Sequence, residues 1–286
     1  MISRFSEDID VTVFRDDLGQ AVDVIALDAL SGKKRRARLD AIRSACQAYI
    51  GGPLMTQFSA VAASAIPQAR FRLALDAEDK DGQTLLFWYP AVTATTGGYV
   101  RSAVKIESGA KSALDPHASA TVRPYVSTDL PDLDLAVTNV TTVTPERTFW
   151  DKIIILHGLR QWHGRRGELR HGGQRVSRHY YDVHQLMLAA SAHEWQADHA
   201  LAIDCALHAR LFFGSTGLGL ETAAPGTFTL TPDHAMREAL TKDYEAMAAM
   251  IYGEVPLLDT VLASVERVER IINRAAVSQG GTDSRK

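Results

Sequence analysis

The chain has 286 residues, of which 46% are hydrophobic and 23% are charged, with a formal net charge of −3. This length suits one large or two modest domains, and such a small net charge does not by itself indicate a nucleic-acid-binding protein. No run of about 18 apolar residues and no basic-then-apolar leader pattern occurs, which argues against a membrane-spanning helix and a secretory signal. The two cysteines, Cys46 and Cys205, lie far apart in the sequence, which disfavours a disulfide framework or a cysteine zinc site and predicts a reducing, cytoplasmic location.

The first half of the sequence has the mixed pattern of an α/β domain. β-Prone or alternating segments predict strands at residues 10–14, 71–75, 85–89 and 99–109. The two middle segments flank the turn sequence DKDG and therefore predict a β-hairpin. Apolar residues spaced three and four apart predict a helix over 37–49. The stretch that continues to about residue 131 is rich in Pro, Ser and Thr, which indicates a connection.

After residue 145 the pattern becomes helical. Apolar periodicity predicts helices over 146–157, 177–190, 192–213 and 233–253, and a last one from residue 258. The first of these is apolar nearly all round, which is typical of a helix buried between layers. The last nine residues, 278–286, are polar and predict a disordered tail.

Two local blocks carry most of the uncompensated positive charge. GKKRRAR, residues 32–38, contains five basic residues and no acid, and residues 160–178 contain six arginines and only Glu168. Such blocks are typical of a surface for a phosphate-rich partner, but they also occur in solvated loops. Both interpretations stay open from sequence alone.

Near the N-terminus, the acidic stretch SRFSEDIDVTV runs directly into a β-prone segment. Residues two apart on a strand point to the same side, so Asp8 and Asp10 should project together while Ile9 projects into the core. Adjacent carboxylates repel each other, and Mg²⁺ with phosphate oxygens is the usual counter-charge. The alternative is an ordinary acidic loop before a strand.

A third carboxylate lies in VKIESG, where alternation places Lys105 and Glu107 on one side. If this segment pairs beside the first strand, Glu107 can join Asp8 and Asp10 in a cluster able to hold two metal ions. The alternative is a half-exposed edge strand with Lys105 and Glu107 in solvent.

Two positions in the helical half are candidates for phosphate chemistry. Lys152 lies at the edge of an apolar helix face, where it can reach water or bind phosphate in a cleft. Arg178, Asp182 and Gln185 form a polar stripe, either as a surface ion pair or as a cover over the acidic cluster. Zinc-protease and serine-hydrolase motifs are absent, and GSTGLGL lacks the ending of a phosphate-binding loop.

Five blocks, in this order, resemble the AbiEii/AbiGii abortive-infection toxin family of the nucleotidyltransferase superfamily. They are RFSEDIDVTV, VKIESGAKS, TPERTFWDKIIILH, SRHYYDVHQL and DYEAMAAMIYGEVPLLDTVLASVERVERIIN, which together run across residues 4–273. The resemblance implies an α+β fold, with a small mixed-sheet nucleotidyltransferase domain over 1–144 and an all-α helical domain over 145–286. It also implies a toxin of a type IV toxin–antitoxin pair in abortive phage infection, with an AbiEi-type antitoxin as partner.

The resemblance further implies a metal-dependent transfer of a nucleotide from a nucleoside triphosphate to RNA, at the tRNA 3′ end. Asp8 and Asp10 match the metal-binding pair and Glu107 falls at a third carboxylate, so these three are expected to hold Mg²⁺ or Mn²⁺. The residues expected to act in catalysis are Asp8, Asp10, Glu107, Lys152 and Asp182. Those expected to bind the nucleotide are Arg4, Ser6, Lys152, Arg178 and Asp182, with Asp182 closing the site and orienting Lys152 or the base.

The sequence departs from the family pattern in one place. Family members carry a glycine-rich GGT-x-L block upstream of the acidic motif, whereas this chain begins at Met1, after that block should end. We therefore expect an N-terminally incomplete domain, weak triphosphate binding and little transfer to tRNA by a protein of this length. The alternatives are an enzyme that nucleotidylates protein, a non-catalytic module that binds nucleotide or antitoxin, and a nuclease that uses the same carboxylates.

Overall fold

A computed structural model describes residues 2–6, 8–67, 70–90, 102–173 and 175–279. The chain is a mixed α/β protein that divides into two compact units, one formed by Ser6–Ala113 and the other by Met1–Phe5 together with Leu114–Lys286. This division falls earlier than the boundary at residue 144 expected from the sequence, and the first five residues belong with the C-terminal part. The unit of Ser6–Ala113 is called the sheet unit below, and the other the helical unit.

The sheet unit contains a four-stranded mixed sheet in the order β1-β4-β3-β2. Its strands are β1 (Asp8–Thr12), β2 (Arg72–Leu75), β3 (Thr84–Trp88) and β4 (Ala103–Gly109). The predicted hairpin is confirmed, because β2 and β3 pair antiparallel with Leu75 opposite Leu85. The predicted strand over 99–109 is confirmed from Ala103 onward, while its residues 99–101 lie outside the described part. β4 lies parallel to β1 and antiparallel to β3, which makes the sheet mixed.

The helices of the sheet unit follow β1 in the chain. They are α1 (Val24–Asp28), α2 (Gly32–Tyr49), a π-helical turn (Ile50–Leu54) and α3 (Met55–Ala65). Ile42 and Cys46 of α2 are buried, as their spacing predicts. Because α2 begins at Gly32, the GKKRRAR block forms the first turns of a helix rather than a loop.

The expectation that Ile9 projects into the core is wrong, because its side chain is 53% exposed. β1 is the edge strand of the sheet and has a sheet neighbour on one side only. An edge strand can keep the alternation of its side chains without burying its apolar face.

The helical unit begins with a two-stranded antiparallel sheet of β5 (His117–Val122) and β6 (Val137–Val143). The interpretation of residues 110–131 as a simple connection is therefore wrong for its middle part. β5 is short and rich in small residues, and its partner β6 lies a loop further along the chain. The β-propensity of a single segment is a poor predictor of such strands, because each strand is stabilised mainly by its pairing with the other.

Six helices of the helical unit follow in the described part of the chain. They are α4 (Pro145–Arg166), α5 (Ser177–Met187), α6 (Ala192–Ala197), α7 (His199–Phe212), α8 (His234–Met247) and α9 (Leu258–Gln279). The helix predicted over 192–213 is two helices, because Asp198 ends α6 and its side chain caps α7 by accepting a hydrogen bond from the Leu201 N–H. The helix predicted over 233–253 ends sooner, at Met247, and continues as a short 3₁₀ turn. The predicted disordered tail lies outside the described residues apart from Ser278 and Gln279.

The core of the helical unit lies around α4, where Phe149, Trp150, Ile153 and Leu156 are fully buried. This confirms the prediction of a helix buried between layers. The apolar periodicity that predicted the last helix forms a stripe that is buried at Val261, Leu262, Val265, Val268 and Ile272, while Leu258 at its start is half-buried. Within the described residues, no helix combines the length and the apolar character needed to cross a membrane.

Candidate functional site

The predicted carboxylates lie on two adjacent parallel strands of the sheet unit. In the β1–β4 register, Asp8 is opposite Lys105 and Asp10 is opposite Glu107, which confirms the pairing on which the three-carboxylate hypothesis depended. Strand alternation places Asp8 and Asp10 on one side, and their register partners point to the same side. The Ser6 hydroxyl donates a hydrogen bond of 2.9 Å to Asp8 Oδ1.

Glu107 is already engaged by a cation of the protein. The Lys105 ammonium forms an ion pair with the Glu107 carboxylate, and both side chains are about two-fifths exposed. The hydrogen bond to Glu107 raises the pKa of Lys105, burial opposes this, and the charges of Glu107, Asp76 and Asp8 raise it further. Lys105 thus provides the positive charge at this end of the sheet.

No group of three acidic, histidine or cysteine side chains is arranged as metal ligands anywhere in the described ranges. Asp8 and Asp10 nonetheless offer the donor chemistry that suits Mg²⁺, which is often held by one or two carboxylates together with phosphate oxygens and water. Glu107 is available to a metal ion only in competition with the Lys105 ammonium.

The second set of predicted residues comes together in the helical unit, around Asp182 of α5. The Asp182 side chain is completely buried, and Lys152 of α4 donates to its Oδ2 atom at 2.8 Å. Arg4 binds the same carboxylate with two parallel hydrogen bonds, of 2.7 Å from Nε to Oδ1 and 2.9 Å from a terminal nitrogen to Oδ2. The interpretation of Asp182 as half of a surface pair with Arg178 is therefore wrong, because the carboxylate is buried and binds other cations.

The first residues of the chain bring Arg4 to α5, although 178 sequence positions separate Arg4 from Asp182. Residues 3–5 run antiparallel to 250–252, with hydrogen bonds of 2.7 Å from Phe5 N to Met250 O and 2.9 Å from Tyr252 N to Ser3 O. The Tyr181 hydroxyl donates to Ser3 O at 3.2 Å. Two consecutive residues of α5 therefore hold this N-terminal segment.

Asp182 carries a negative charge in spite of its burial. Burial alone raises the pKa of this carboxyl, but the hydrogen bonds from Arg4 and the positive charge of Lys152 outweigh it, so the pKa lies below its usual range. A buried carboxylate is tolerated when cations and hydrogen bonds satisfy it. Asp182 is thus a fully satisfied anion that fixes the positions of Arg4 and Lys152.

His179 is a further member of this cluster that sequence reasoning missed. Its Nδ1 atom lies 3.4 Å from Lys152 Nζ. Burial lowers the pKa of His179 well below its usual value, and the charges of Lys152 and Arg178 lower it further. The imidazole is therefore neutral and can accept a hydrogen bond from the ammonium. The signal was the position of His179, three residues before Asp182, because residues with this spacing are neighbours on one face of a helix.

Arg178 adds to this cluster a positive charge that pairs with no carboxylate of the described residues. Arg4, Lys152 and Arg178 are positive, Asp182 supplies one negative charge, and His179 is neutral. The Arg178 Nε atom is buried without a hydrogen-bond partner in the described part of the chain. A positive charge with an unused donor at a half-buried position is suited to binding an anion, and arginine and lysine both bind phosphate.

The predicted site residues thus fall into two groups. Arg4, Lys152, Arg178 and Asp182 lie in the helical unit, where the last three belong to α4 and α5. Ser6, Asp8, Asp10 and Glu107 lie in the sheet unit. The Ser6 hydroxyl binds Asp8, so its observed role is to orient a carboxylate.

One family model matches the chain, over residues 1–271, and its description is "Nucleotidyl transferase AbiEii toxin, Type IV TA system". The searches of curated proteins and of solved structures returned no match. The matched range covers nearly the whole chain and includes every residue of both groups.

Proposed function

The chain belongs to the AbiEii family of nucleotidyl transferase toxins of type IV toxin–antitoxin systems, and on that premise we propose that it transfers a nucleotide from a nucleoside triphosphate to RNA in a metal-dependent reaction. The proposed acceptor is the 3′ end of tRNA. The family implies an antitoxin partner, and we propose an AbiEi-type antitoxin.

The observation that carries this proposal is the cation-rich cluster around Asp182. An ammonium has three N–H donors, and the contacts of Lys152 with Asp182 and His179 account for two of them. Among the described residues nothing takes up the third donor, which can therefore bind a ligand oxygen. Arg178 adds a guanidinium for which the described residues supply no carboxylate. Lys152 and Arg178 would bind the phosphates, while Asp182 acts as a positioning residue that holds Lys152 and Arg4.

The carboxylates of the sheet unit supply the second requirement of nucleotidyl transfer. Asp8 and Asp10 would hold Mg²⁺, which neutralises charge on phosphate oxygens when it is bound. Asp8 is oriented by the Ser6 hydroxyl. Glu107 would join them only when Lys105 gives up its ion pair.

In the proposed reaction, the oxygen of a terminal ribose hydroxyl forms a bond to the α-phosphorus. The bond from that phosphorus to the pyrophosphate oxygen breaks, so that pyrophosphate leaves. The proton of the hydroxyl passes to a carboxylate of the Asp8, Asp10 and Glu107 set. Positioning and charge stabilisation account for most of the catalysis in phosphoryl transfer of this kind.

The direct test is incubation of the purified chain with each α-labelled nucleoside triphosphate, Mg²⁺ and total RNA or cell lysate. We expect weak labelling of RNA of tRNA size, at the 3′ end, in keeping with the weak triphosphate binding and low transfer expected from the sequence. In Asp8→Asn/Asp10→Asn the rate should fall by more than about 100-fold, because acidic ligands and charge stabilisation are removed together. Label in protein would support nucleotidylation of a protein hydroxyl instead. Shortened RNA would indicate a nuclease, and no label in either polymer would contradict the transferase proposal.

A further inference from the structure

The arginines of residues 160–178 differ in whether the protein neutralises them. Arg160 lies 3.0 Å from Asp233 and Arg165 lies 3.4 Å from Glu221. Arg166, Arg170 and Arg178 have no carboxylate within ion-pair distance among the described residues. These three, called the arginine band below, retain their full charge for an external partner.

Two members of the arginine band are held against an aromatic ring. The guanidinium carbon of Arg166 lies 4.5 Å from the centre of the Trp162 ring, and that of Arg170 lies 5.7 Å from it. Trp162 in turn packs closely against Gly217, where a Cβ atom would lie 3.2 Å from the ring. Stacking on an aromatic ring orients a guanidinium and leaves its N–H edge available for hydrogen bonds.

The third member, Arg178, acts electrostatically on residues of this surface and of the cluster around Asp182. Burial lowers the pKa of His171, and the charges of Arg170 and Arg178 lower it further. The charge of Arg178 also acts on His179, together with that of Lys152. The charge of Arg178 therefore acts on a residue of the arginine-rich segment, His171, and on a residue of the cluster around Asp182, His179.

Two residues near the arginine band have an unusual backbone conformation, and hydrogen bonds hold the start of α5 beside them. His171 and Arg175 adopt left-handed conformations, with φ of 56° and 61°, which non-glycine residues adopt rarely. The buried Asp243 carboxylate holds the start of α5 by accepting hydrogen bonds from Arg175 N at 2.7 Å and Ser177 N at 2.6 Å. Strained backbone that its surroundings hold in place is found often at ligand-binding sites.

We propose that the arginine band, with Trp162 beside it, binds the phosphodiester backbone of single-stranded RNA. The proposal rests on the proposed function, because it assigns the surface of the helical unit that holds the RNA acceptor. Segment 160–178 contains six arginines and no lysine, and arginine is the residue of choice for bidentate binding of phosphate. The guanidinium groups of Arg166 and Arg170, both held against Trp162, supply this binding geometry.

The experiment measures the affinity of the full chain for a fluorescein-labelled, 20-nucleotide single-stranded RNA by anisotropy at several salt concentrations. The test variant is Arg166→Gln/Arg170→Gln, which removes two charges and leaves Lys152, Arg178 and Asp182 in place. The matched control is Lys33→Gln/Lys34→Gln, which removes two exposed charges from the other basic block. A second variant, Arg166→Lys/Arg170→Lys, changes the same two positions but keeps their charge. If it binds RNA, the loss in the glutamine variant is caused by the missing charge and not by misfolding.

We expect Arg166→Gln/Arg170→Gln to weaken RNA binding by roughly tenfold and to reduce the slope of log affinity against log salt by about 1.4, because two phosphate contacts are lost. The lysine variant should keep most of the affinity, the control should change it by less than about twofold, and triphosphate affinity should not change. Unchanged RNA affinity in Arg166→Gln/Arg170→Gln overturns the inference but not the transferase proposal, which the label-transfer assay tests separately.

An equal loss of RNA affinity in the test and control variants would show that RNA is attracted non-specifically by positive charge, and would also overturn the inference. If the wild-type chain binds no RNA, and an acidic protein competes at the arginine band instead, the surface serves a protein partner and the inference is wrong.

Discussion

The two groups of candidate site residues are built on opposite principles. Asp8 and Asp10 lie on an edge strand, where Asp10 is exposed and the neighbouring Ile9 is more exposed than buried. Asp182 is completely buried and is bound by two cations from distant parts of the chain. A charged group at the edge of a sheet can be removed at little cost to folding, whereas a buried carboxylate with two cations is part of the fold as well as of the site.

The strongest test of this contrast compares the stabilities of Asp182→Ala and Asp8→Ala. We expect Asp182→Ala to lower the free energy of unfolding of the helical unit by about 3 kcal/mol, because it leaves Arg4 and Lys152 without their buried counter-charge. Asp8→Ala should change stability by less than about 0.5 kcal/mol. Urea unfolding followed by tryptophan fluorescence measures both variants, because Trp150, Trp162 and Trp195 lie in the helical unit and Trp88 lies in the sheet unit. Equal losses of unfolding free energy in the two variants would contradict this difference between the buried Asp182 and Asp8 at the sheet edge.

The pH dependence of stability tests whether the buried Asp182 carboxylate is ionised and stabilises the fold. The pKa of Asp182 is lowered in the folded state from its usual value of 3.8, so its ion pairs contribute fully above pH 3.8 and lose their contribution as the pH falls through the folded-state pKa. We expect the wild-type chain to lose stability in that acidic range more steeply than Asp182→Asn does. Identical acid profiles for the two proteins would mean that the Asp182 carboxylate is not ionised in the fold.

A middle-sized effect is expected on triphosphate binding at Lys152. Lys152→Gln should weaken binding by at least about tenfold, because a charge-assisted hydrogen bond to phosphate is lost. His179→Ala should weaken it by about fivefold, since the ammonium loses one of its two positioning partners. His179→Asn should restore most of that loss, because its amide oxygen can accept the same hydrogen bond. Isothermal titration with a non-hydrolysable triphosphate measures these affinities, and an alanine variant that binds as well as wild type would exclude a role for His179.

The smallest expected effect concerns Lys105. Lys105→Met should strengthen Mn²⁺ binding by about threefold, because Glu107 is released and the positive charge near Asp8 and Asp76 is removed. The matched control is Lys111→Met, which removes a similarly exposed lysine that pairs with Asp81 at 3.2 Å. Paramagnetic titration with Mn²⁺ gives both affinities. If the two variants bind Mn²⁺ equally, Lys105 does not compete for the carboxylates.

The sequence predicted the elements that local patterns specify. The hairpin around DKDG, the buried helix α4 and the apolar stripe of α9 are all observed, because each depends on a period or a turn that is contained in one segment. The pairing of β1 with β4, which aligns Asp10 with Glu107, was reached by assuming that two chemically related strands are neighbours, and the register confirms it. The missed strand β5 depends on a partner outside its own segment. The break at Asp198 is a local capping contact with Leu201 that the apolar periodicity of residues 192–213 does not reveal.

The site shows the same division. Arg4, Lys152, Arg178 and Asp182 were named as site residues from the resemblance to the AbiEii/AbiGii family, but nothing in their spacing indicated that Arg4 and Lys152 bind the same carboxylate. Lys105 was placed beside Glu107 by alternation, yet the ion pair between them was not anticipated. No motif in the sequence assigned a role to His179. In each case the sequence does not show which charged side chain lies next to the residue in space. That neighbour is either remote in sequence or was expected to lie in solvent.

The sequence by itself determined which segments are helical or extended, which residues carry charge, and the family to which these blocks belong, since all of these depend on local order and residue type. Only the tertiary structure determined which charges are satisfied. It places Asp182 in the core between Arg4 and Lys152, gives Glu107 to Lys105, and leaves Arg166, Arg170 and Arg178 without a carboxylate in the described part of the chain. The physical reason is that charge pairing acts through space over a few ångströms, whereas sequence patterns report spacing along the chain.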